Sequence, residues 1–519
     1  MMKTRNTISI FLSILLVFGC SDDVLDKSPL DRLSPDTFYQ NEEELSMGLT
    51  GVYENIKQYE TPIHWFQFDF MSDDGVCHHA WQGSLEFGNW QHNSNSWAAD
   101  AKWARAYQLI VRVNGFLKSI EEAPVADEVK AQMAGEARFL RAYMYGDLIH
   151  FYGDVPLILE EQIVDNALVS RTPKSEVLTA VMEDLDYASA NLPTSYTGEN
   201  IGRATAGAAL AYKARFYLYS EMWDEAADAA QEVIDLGVYD LFGDYEGVFK
   251  EENENNIEVI FDIQYMQNLN EQPWPSSALS FGEWPTPNIS VDLINEYHMQ
   301  NGMAIDDVAS GFDAQDPFLN RDPRLAATLI LPGTDMGPDR TLIPANDETL
   351  TGVRPRKYAD LSNTNRNNCG INTITMRYAD VLLMKAEALT ESGSTSQEIY
   401  DLVNEVRARV NMPKVEDAEG AGLTTDELRD IVRHERRVEF AIEGLRYLDM
   451  LRWKDESLVH NVIGYDKAKL SDPSDAATWE FQEVTAAERN FDAEKGWLWP
   501  LPSREIQNNE NLRPQNPGY

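Results

Sequence analysis

The sequence predicts a mainly α protein, a scaffold of packed helix pairs with long irregular loops and little β structure. Three observations carry this expectation. Apolar residues recur at the 3.6-residue spacing of a helix face wherever a period can be counted. From Ala204 to Gly237 two such faces follow one another as a hairpin, with small and aromatic residues spaced as in a tetratricopeptide repeat. Between the helical stretches, residues 154–171, 240–355 and 460–519 keep no period and are rich in Pro, Gly, Asn and Asp, the composition of loops.

In chain order, Lys3 and Arg5 precede an apolar run from Ile8 to Phe18 that stops at Gly19 and Cys20. This is the layout of a secretory signal peptide, and the run is only about half as long as a membrane-spanning helix. A Cys directly after a small residue at that point predicts removal of residues 1–20 up to a lipidated Cys20. Several acyl chains anchor stably, because each buried CH₂ contributes about 0.8 kcal/mol. Phe18 stands where a small or β-branched residue is commoner, so ordinary cleavage to a soluble protein is the alternative.

Trp103, Tyr107, Ile110, Asn114 and Leu117 share one face of a first helix. A second, from about Val129 to Phe151, carries Met133, Ala137, Leu140, Met144 and Leu148, and Gly153-Asp154 then turns the chain into Pro156. The hairpin places Leu210, Ala214, Tyr217 and Leu218 on one helix and Trp223, Ala226, Ala230 and Val233 on the next. Small residues there let the helices approach while rings fill the space between them. Later helices carry Tyr378, Val381, Leu382, Ala386 and Leu389, closed by Gly393, and Ile399, Leu402, Val403, Val406 and Val410. Thr395 with Glu398 and Thr424 with Glu427 have the spacing of capping boxes, the latter for a helix running to about Glu443. With no Gly/Ser-rich or Pro-rich linker, residues 21–240 and 241–519 are expected as two interleaved halves of one body.

The chain carries 86 acidic against 43 basic side chains, a net charge of −43, which repels nucleic acid and anionic lipid and excludes those partners. Besides Cys20 there are only Cys77 and Cys369, without CxxC spacing; the sequence leaves open a disulfide or two free thiols.

Sugars are held by rings stacked on their C–H faces and by polar side chains on their hydroxyls, so tryptophans in polar loops are the residues to seek. His64 to Trp103 holds five of the twelve tryptophans. Trp65, Trp81 and Trp90 lie there among Asp73, Asp74, His78, Gln82 and Asn89, and a second loop, Asn268 to Pro287, carries Trp274 and Trp284 between prolines. Prolines stiffen a loop and reduce the entropy lost on binding. We expect Trp81, Trp90, Trp274 and Trp284 to converge on one exposed site, with the other six residues named above contributing. Trp97 and Trp103 read as packing residues, Trp103 because it lies on a helix face.

The run Arg433, Glu435, Arg436, Arg437, Glu439 and Glu443 alternates signs at helical spacing, which predicts an ion-pair lattice fixing helix packing in preference to a catalytic carboxyl pair. His78-His79 beside Cys77 hint at a metal, yet adjacent side chains diverge and rarely reach one ion. No cofactor is predicted; the Asp and Asn loops offer oxygens of the kind Ca²⁺ takes, without a spacing that specifies a site. GxSxG, HExxH, phosphate-loop and CxxC motifs are missing from the sequence.

Several pieces, in order, resemble one family. They are Trp103-x3-Tyr107-x2-Ile110-x3-Asn114, the run Gly135 to Ala142, Tyr152-Gly153-Asp154-Val155-Pro156-Leu157 and Asn320-Arg321-Asp322-Pro323-Arg324. Arg377-Tyr378-Ala379-Asp380, Ala386-Glu387-Ala388, Asn404-x2-Arg407, Glu435-Arg436-Arg437 and Glu443-Gly444-x-Arg446-x2-Asp449-x2-Arg452-Trp453 follow. The chain closes on Pro500-Leu501-Pro502 and Gln515-Asn516-Pro517-Gly518-Tyr519, with Glu510 and Arg513-Pro514 departing slightly from the pattern. By this order the chain resembles the SusD/RagB family of outer-membrane lipoproteins, and Ser21-Asp22-Asp23 is similar to the acidic tag that sends Bacteroidetes lipoproteins to the outer face. The resemblance implies tetratricopeptide-like helix pairs, no enzymatic activity, capture of an oligosaccharide, and a seat as the lid of a SusC-like TonB-dependent transporter. It also implies aromatic loops forming one arc, matched here by region. The rival readings are a helical glycoside hydrolase or polysaccharide lyase, recognised by new reducing ends, and a scaffold that binds only proteins.

Overall fold

A computed structural model describes residues 38–60, 65–77, 83–162, 167–271, 287–336, 340–362, 368–472 and 475–519. Among these are ten helices of eight residues or more. They are α1 (Glu42–Glu60), α2 (Trp97–Glu122), α3 (Asp127–Tyr152), α4 (Lys174–Asn191), α5 (Ala206–Leu218), α6 (Trp223–Asp235), α7 (Tyr378–Glu391), α8 (Gln397–Arg409), α9 (Thr425–Phe440) and α10 (Arg446–Trp453). The protein is mainly α, and its helices run where the periodicity places them. The exceptions are α1, whose stripe Leu45, Leu49, Val52, Ile56 is interrupted by Gly48 and Gly51, α4, for which no helix is predicted from the sequence, and the short α10.

Consecutive helices pack on one another from α1 to α6. After residues 236–377, α7 returns to lie on α6 and α5, and α8 and α9 pack on α7 in turn. That return continues the row of paired helices across the middle of the sequence. Contact is close because small residues face rings: a Cβ added to Gly146 of α3 would stand 2.1 Å from the Phe216 ring of α5.

The caps are local chemistry. At α9, Thr424 and Glu427 form the expected capping box. At α8 the expected box does not form; Ser396 is the N-cap without a side-chain bond, and the Glu398 carboxylate is taken by Lys385 of α7. Gly153 ends α3 at φ 73°, and the following turn is tied down by the residues of the first motif. Tyr107 Oη donates to Pro156 O (2.8 Å), Asn114 Nδ2 to Ile158 O (2.9 Å), and Arg141 Nη1 to Asn114 Oδ1 (2.7 Å).

Among the described residues there are eight short strands, six of them in the long aperiodic stretches: β1 (Gly75–Cys77), β2 (Val259–Ile263), β3 (Pro287–Ile289), β4 (Leu329–Ile330), β5 (Arg354–Pro355), β6 (Thr373–Arg377), β7 (Val462–Tyr465) and β8 (Glu483–Ala487). They pair antiparallel as β1–β3, β2–β6, β4–β5 and β7–β8. Cys77 and Cys369 are both buried and are not joined in a disulfide. Among the described residues no helix is long and apolar enough to cross a membrane.

A buried ion lattice joins the strand regions to α7, α8, α9 and α10. Arg377 donates to Glu258, Glu439 and Glu443 at 2.7 Å each. Arg324 reaches Glu435 (2.6 Å) and Glu439 (2.9 Å), Arg407 reaches Glu435 (2.8 Å), and Arg436 reaches Asp380 (2.8 Å). Charges removed from water persist only when paired and hydrogen-bonded, so each guanidinium specifies which elements meet. The alternating charged run is the ion-pair lattice expected of it, centred on α9.

Candidate functional site

The geometry of the candidate site begins at the β1–β3 ladder. In this register Cys77 faces Pro287, so the chain leaves β1 toward residues 78–82 at the point where it enters β3 from residues 272–286. The stems of the two predicted tryptophan loops are thus neighbours, although 210 positions separate the paired residues (287 − 77). The Cys77 thiol lies beside Ser84 and Gln67, and burial pushes its pKa up to about 12, which leaves it unreactive. Gly83, at φ 80°, sits against the next ring in the chain: a Cβ there would approach the indole of Trp97 to 3.2 Å.

Buried charge makes the base of these loops rigid. Arg489 donates to the carbonyls of Phe70 (3.1 Å), Gly75 (2.6 Å) and Ser72, clamping the turn that precedes β1. Burial lowers the Arg489 pKa to about 10, and the three carbonyls replace the water it has lost. Asp69 accepts from the backbone N–H groups of Gly444 (2.8 Å) and Arg446 (3.0 Å), the entry to α10. Asp73 is held by Arg446 and Arg437, and Asp74 by Arg437 at 2.7 Å. Burial opposes both charges. The two arginines nevertheless hold Asp73 well below the usual carboxylate range, while burial and the neighbouring Asp73 raise Asp74.

These contacts correct part of the predicted site. Asp73 and Asp74 are buried anchors of the loop base and do not face solvent. Trp90 is 3% exposed and packs among Phe491 (5.3 Å), Trp497 (5.6 Å) and Tyr447 (6.5 Å). At φ 59° its backbone turns back on the short helix Ser84–Gly88, which directs the indole inward. Asn89 is half-buried as the C-cap of that helix. Trp65 opens the 3₁₀ segment Trp65–Met71, its side chain outside what is described. His78, Trp81, Gln82, Trp274 and Trp284 lie outside the described residues.

Conversely, Trp97, read as a packing residue, is 46% exposed at the first position of α2. Its only sequence signal is its place directly after the Ser96 N-cap, where the first turn of a helix has no preceding turn to cover it. An exposed indole therefore lies beside Gly83, where the chain re-enters the described structure after the first loop.

The carboxylates of α9 are committed elsewhere. Burial disfavours the Glu435 charge, but Arg324 and Arg407 bring its pKa down to about 2, so it holds no proton to donate at neutral pH. Burial opposes the Glu439 charge as well, and Arg409, Arg377 and Arg324 hold its pKa well below the usual carboxylate range. Among the described residues no group of three His, Cys, Asp or Glu is placed to hold a metal ion.

A helical scaffold that holds neighbouring loop stems on a buried ion lattice has the build of a binding protein. The family is identified by comparison: the SusD family model matches residues 257–519, and a model described as starch-binding and associating with the outer membrane matches residues 23–218. The chain belongs to the SusD family. It is 29% identical over 543 residues to SusD-like protein P2 of Formosa agariphila, covering 99% of each chain. Its fold matches a SusD-like protein of Bacteroides fragilis with a TM-score of 0.81 at 27% identity, over 95% of this chain and 100% of that one. A SusD-like carbohydrate binding protein of the same species matches with a TM-score of 0.80 at 27% identity, over 92% and 100%. The family ties the chain to carbohydrate binding and to the outer membrane.

Proposed function

We propose that this protein is a cell-surface glycan-capture lipoprotein without enzymatic activity. Anchored in the outer membrane through a lipidated Cys20 and facing the exterior, it binds an oligosaccharide between its tryptophan-bearing loops. It then passes the glycan to a SusC-like TonB-dependent transporter on which it sits. The observation that carries this reading is the Cys77–Pro287 pairing, which gives the loops of Trp81, Trp274 and Trp284 a common origin on a rigid base. Exposed Trp97 beside Gly83 adds a ring for stacking at the same place. A neutral or weakly charged ligand suits a chain of net charge −43.

The test is extraction of the tagged chain from outer membranes in mild detergent, followed by a glycan array. Co-recovery of an integral β-barrel transporter and binding of a defined oligosaccharide are expected. Recovery of the chain alone under several gentle conditions would count against the lid, and release of new reducing ends from the glycan would replace the binding reading with an enzyme.

A further inference from the structure

A cleft of about 970 Å³ opens where the ends of α3, α5 and α10 meet the start of α4 and the C-terminal tail. Three features of its wall suit a ligand.

The first is a pair of buried polar atoms without partners. His150 and Tyr219 are each 8% exposed, their rings are 4.7 Å apart, and both line the cleft. Nε2 of His150 and Oη of Tyr219 have no hydrogen-bond partner among the described residues. Burial lowers the His150 pKa to about 3, so the imidazole is neutral and carries one acceptor nitrogen and one N–H. Buried polar groups are nearly always satisfied, by protein, water or ligand.

The second is charge. In a chain of −43, the cleft is lined by Arg171, Lys174, Arg452 and Lys454 against only Asp154 and Glu221. Arg452 is neutralised by Glu387 (2.6 Å), Lys454 faces Glu221 at 3.4 Å, and Asp154 accepts the backbone N–H of Lys174 (2.8 Å). The Lys174 ammonium makes no ion pair or hydrogen bond among the described residues, and burial together with nearby Lys454 lowers its pKa. It is the first residue of α4, whose N-cap, Pro173, offers no side-chain acceptor. The start of an 18-residue helix, capped from outside by Asp154, and an ammonium with Glu221 nearby but no ion pair of its own among the described residues thus coincide.

The third is a flat ring. Trp497 is half-buried, with one side on Trp90 and Phe491 (4.8 Å), and it also lines the cleft. Backed by the core, it is held as a platform for the C–H face of a sugar.

We propose that this cleft is a second saccharide subsite, separate from the loops, for a sugar residue bearing a carboxylate or sulfate ester. The ring lies on Trp497, the anionic group meets Lys174 at the start of α4, and hydroxyls pair with His150 and Tyr219.

The experiment titrates the whole chain, purified in mild detergent, with oligogalacturonate, a sulfated carrageenan oligosaccharide and a neutral dextran oligosaccharide. At least one anionic probe binds, more weakly as salt rises, and the two anionic arms decide between carboxylate and sulfate. Lys174→Gln reduces that affinity roughly tenfold or more, as loss of a charge-assisted contact should. Trp497→Leu weakens it comparably, while Trp81→Ala leaves it unchanged. Lys174 is only half-buried, and thermal melts confirm that Lys174→Gln is folded. No binding of either anionic probe, or binding that Lys174→Gln does not alter, overturns the subsite. Failure of the loop reading shows separately, as array-glycan binding that Trp81→Ala does not affect.

Discussion

Arg446 holds Asp73 through two parallel hydrogen bonds of 2.8 Å, Nε to Oδ1 and Nη2 to Oδ2, across 373 positions of chain. Both side chains are buried, so the fork fixes the turn before β1 against the start of α10. Removing one partner strands the other charge. Asp73→Ala should destabilise the protein by roughly 3–5 kcal/mol. It should also weaken glycan binding by displacing the stems of the loops. Denaturant melts and titration of the same variant measure both; an unchanged melting midpoint would show that the fork does not hold the loop base.

Trp90 and the loop tryptophans should separate into two classes. Trp90→Ala empties a buried aromatic cluster and should cost about 3–5 kcal/mol of stability. Trp81→Ala, Trp274→Ala and Trp284→Ala should each lose one to a few kcal/mol of glycan affinity, the range of hot-spot truncations, with little change in melting temperature. Calorimetric titration and thermal melts of the four variants test this, and melts lowered by several degrees with normal binding would make the loop rings core residues.

Acid should unfold the protein through its lattice. Burial works against the charges of Asp380 and Glu435, but their arginine partners hold both pKa values at about 2. In the unfolded chain these groups titrate near their ordinary values of about 3.9 and 4.3. Their folded pKa is depressed, so their contribution is fully present above about pH 4 and is lost as pH falls toward about 2. Melting midpoints measured from pH 7 to pH 2 should fall in that window. Asp380→Asn should melt lower at pH 7 and show a shallower acid limb.

Gly146 tests the helix packing. The Phe216 ring occupies the place of its missing Cβ, so Gly146→Ala should force α3 and α5 apart and cost about 1–3 kcal/mol. Pairing it with Phe216→Leu should recover part of the loss in a double-mutant cycle.

Cys20→Ala should leave the chain unlipidated and move it from the membrane fraction to the soluble one. Lipid labelling and fractionation measure this, and unchanged behaviour of both would remove Cys20 as the anchor.

The helices were legible because a 3.6-residue stripe is written in consecutive residues, as with Leu140, Met144 and Leu148 on α3, and because Thr424 and Glu427 cap α9 within one turn. The alternating charges from Arg433 to Glu443 announced a lattice for the same reason: their spacing on one helix is local. Which carboxylate meets which guanidinium was not legible, since Glu258, Arg324 and Arg377 come from distant segments. Glu398 shows the same limit at a cap, where a lysine from another helix outcompeted the local N–H.

The tryptophans mark the boundary most clearly. By itself the sequence determined an acidic, mainly helical chain and pointed to indoles grouped between its helices. Only the tertiary structure decided that Trp90 turns inward and Trp97 outward, because exposure depends on what covers a residue from elsewhere in the chain: Phe491 and Trp497 cover the first, and among the described residues no ring packs on the second. It alone paired Cys77 with Pro287, since strand register joins residues by backbone hydrogen bonds that carry no local sequence signal.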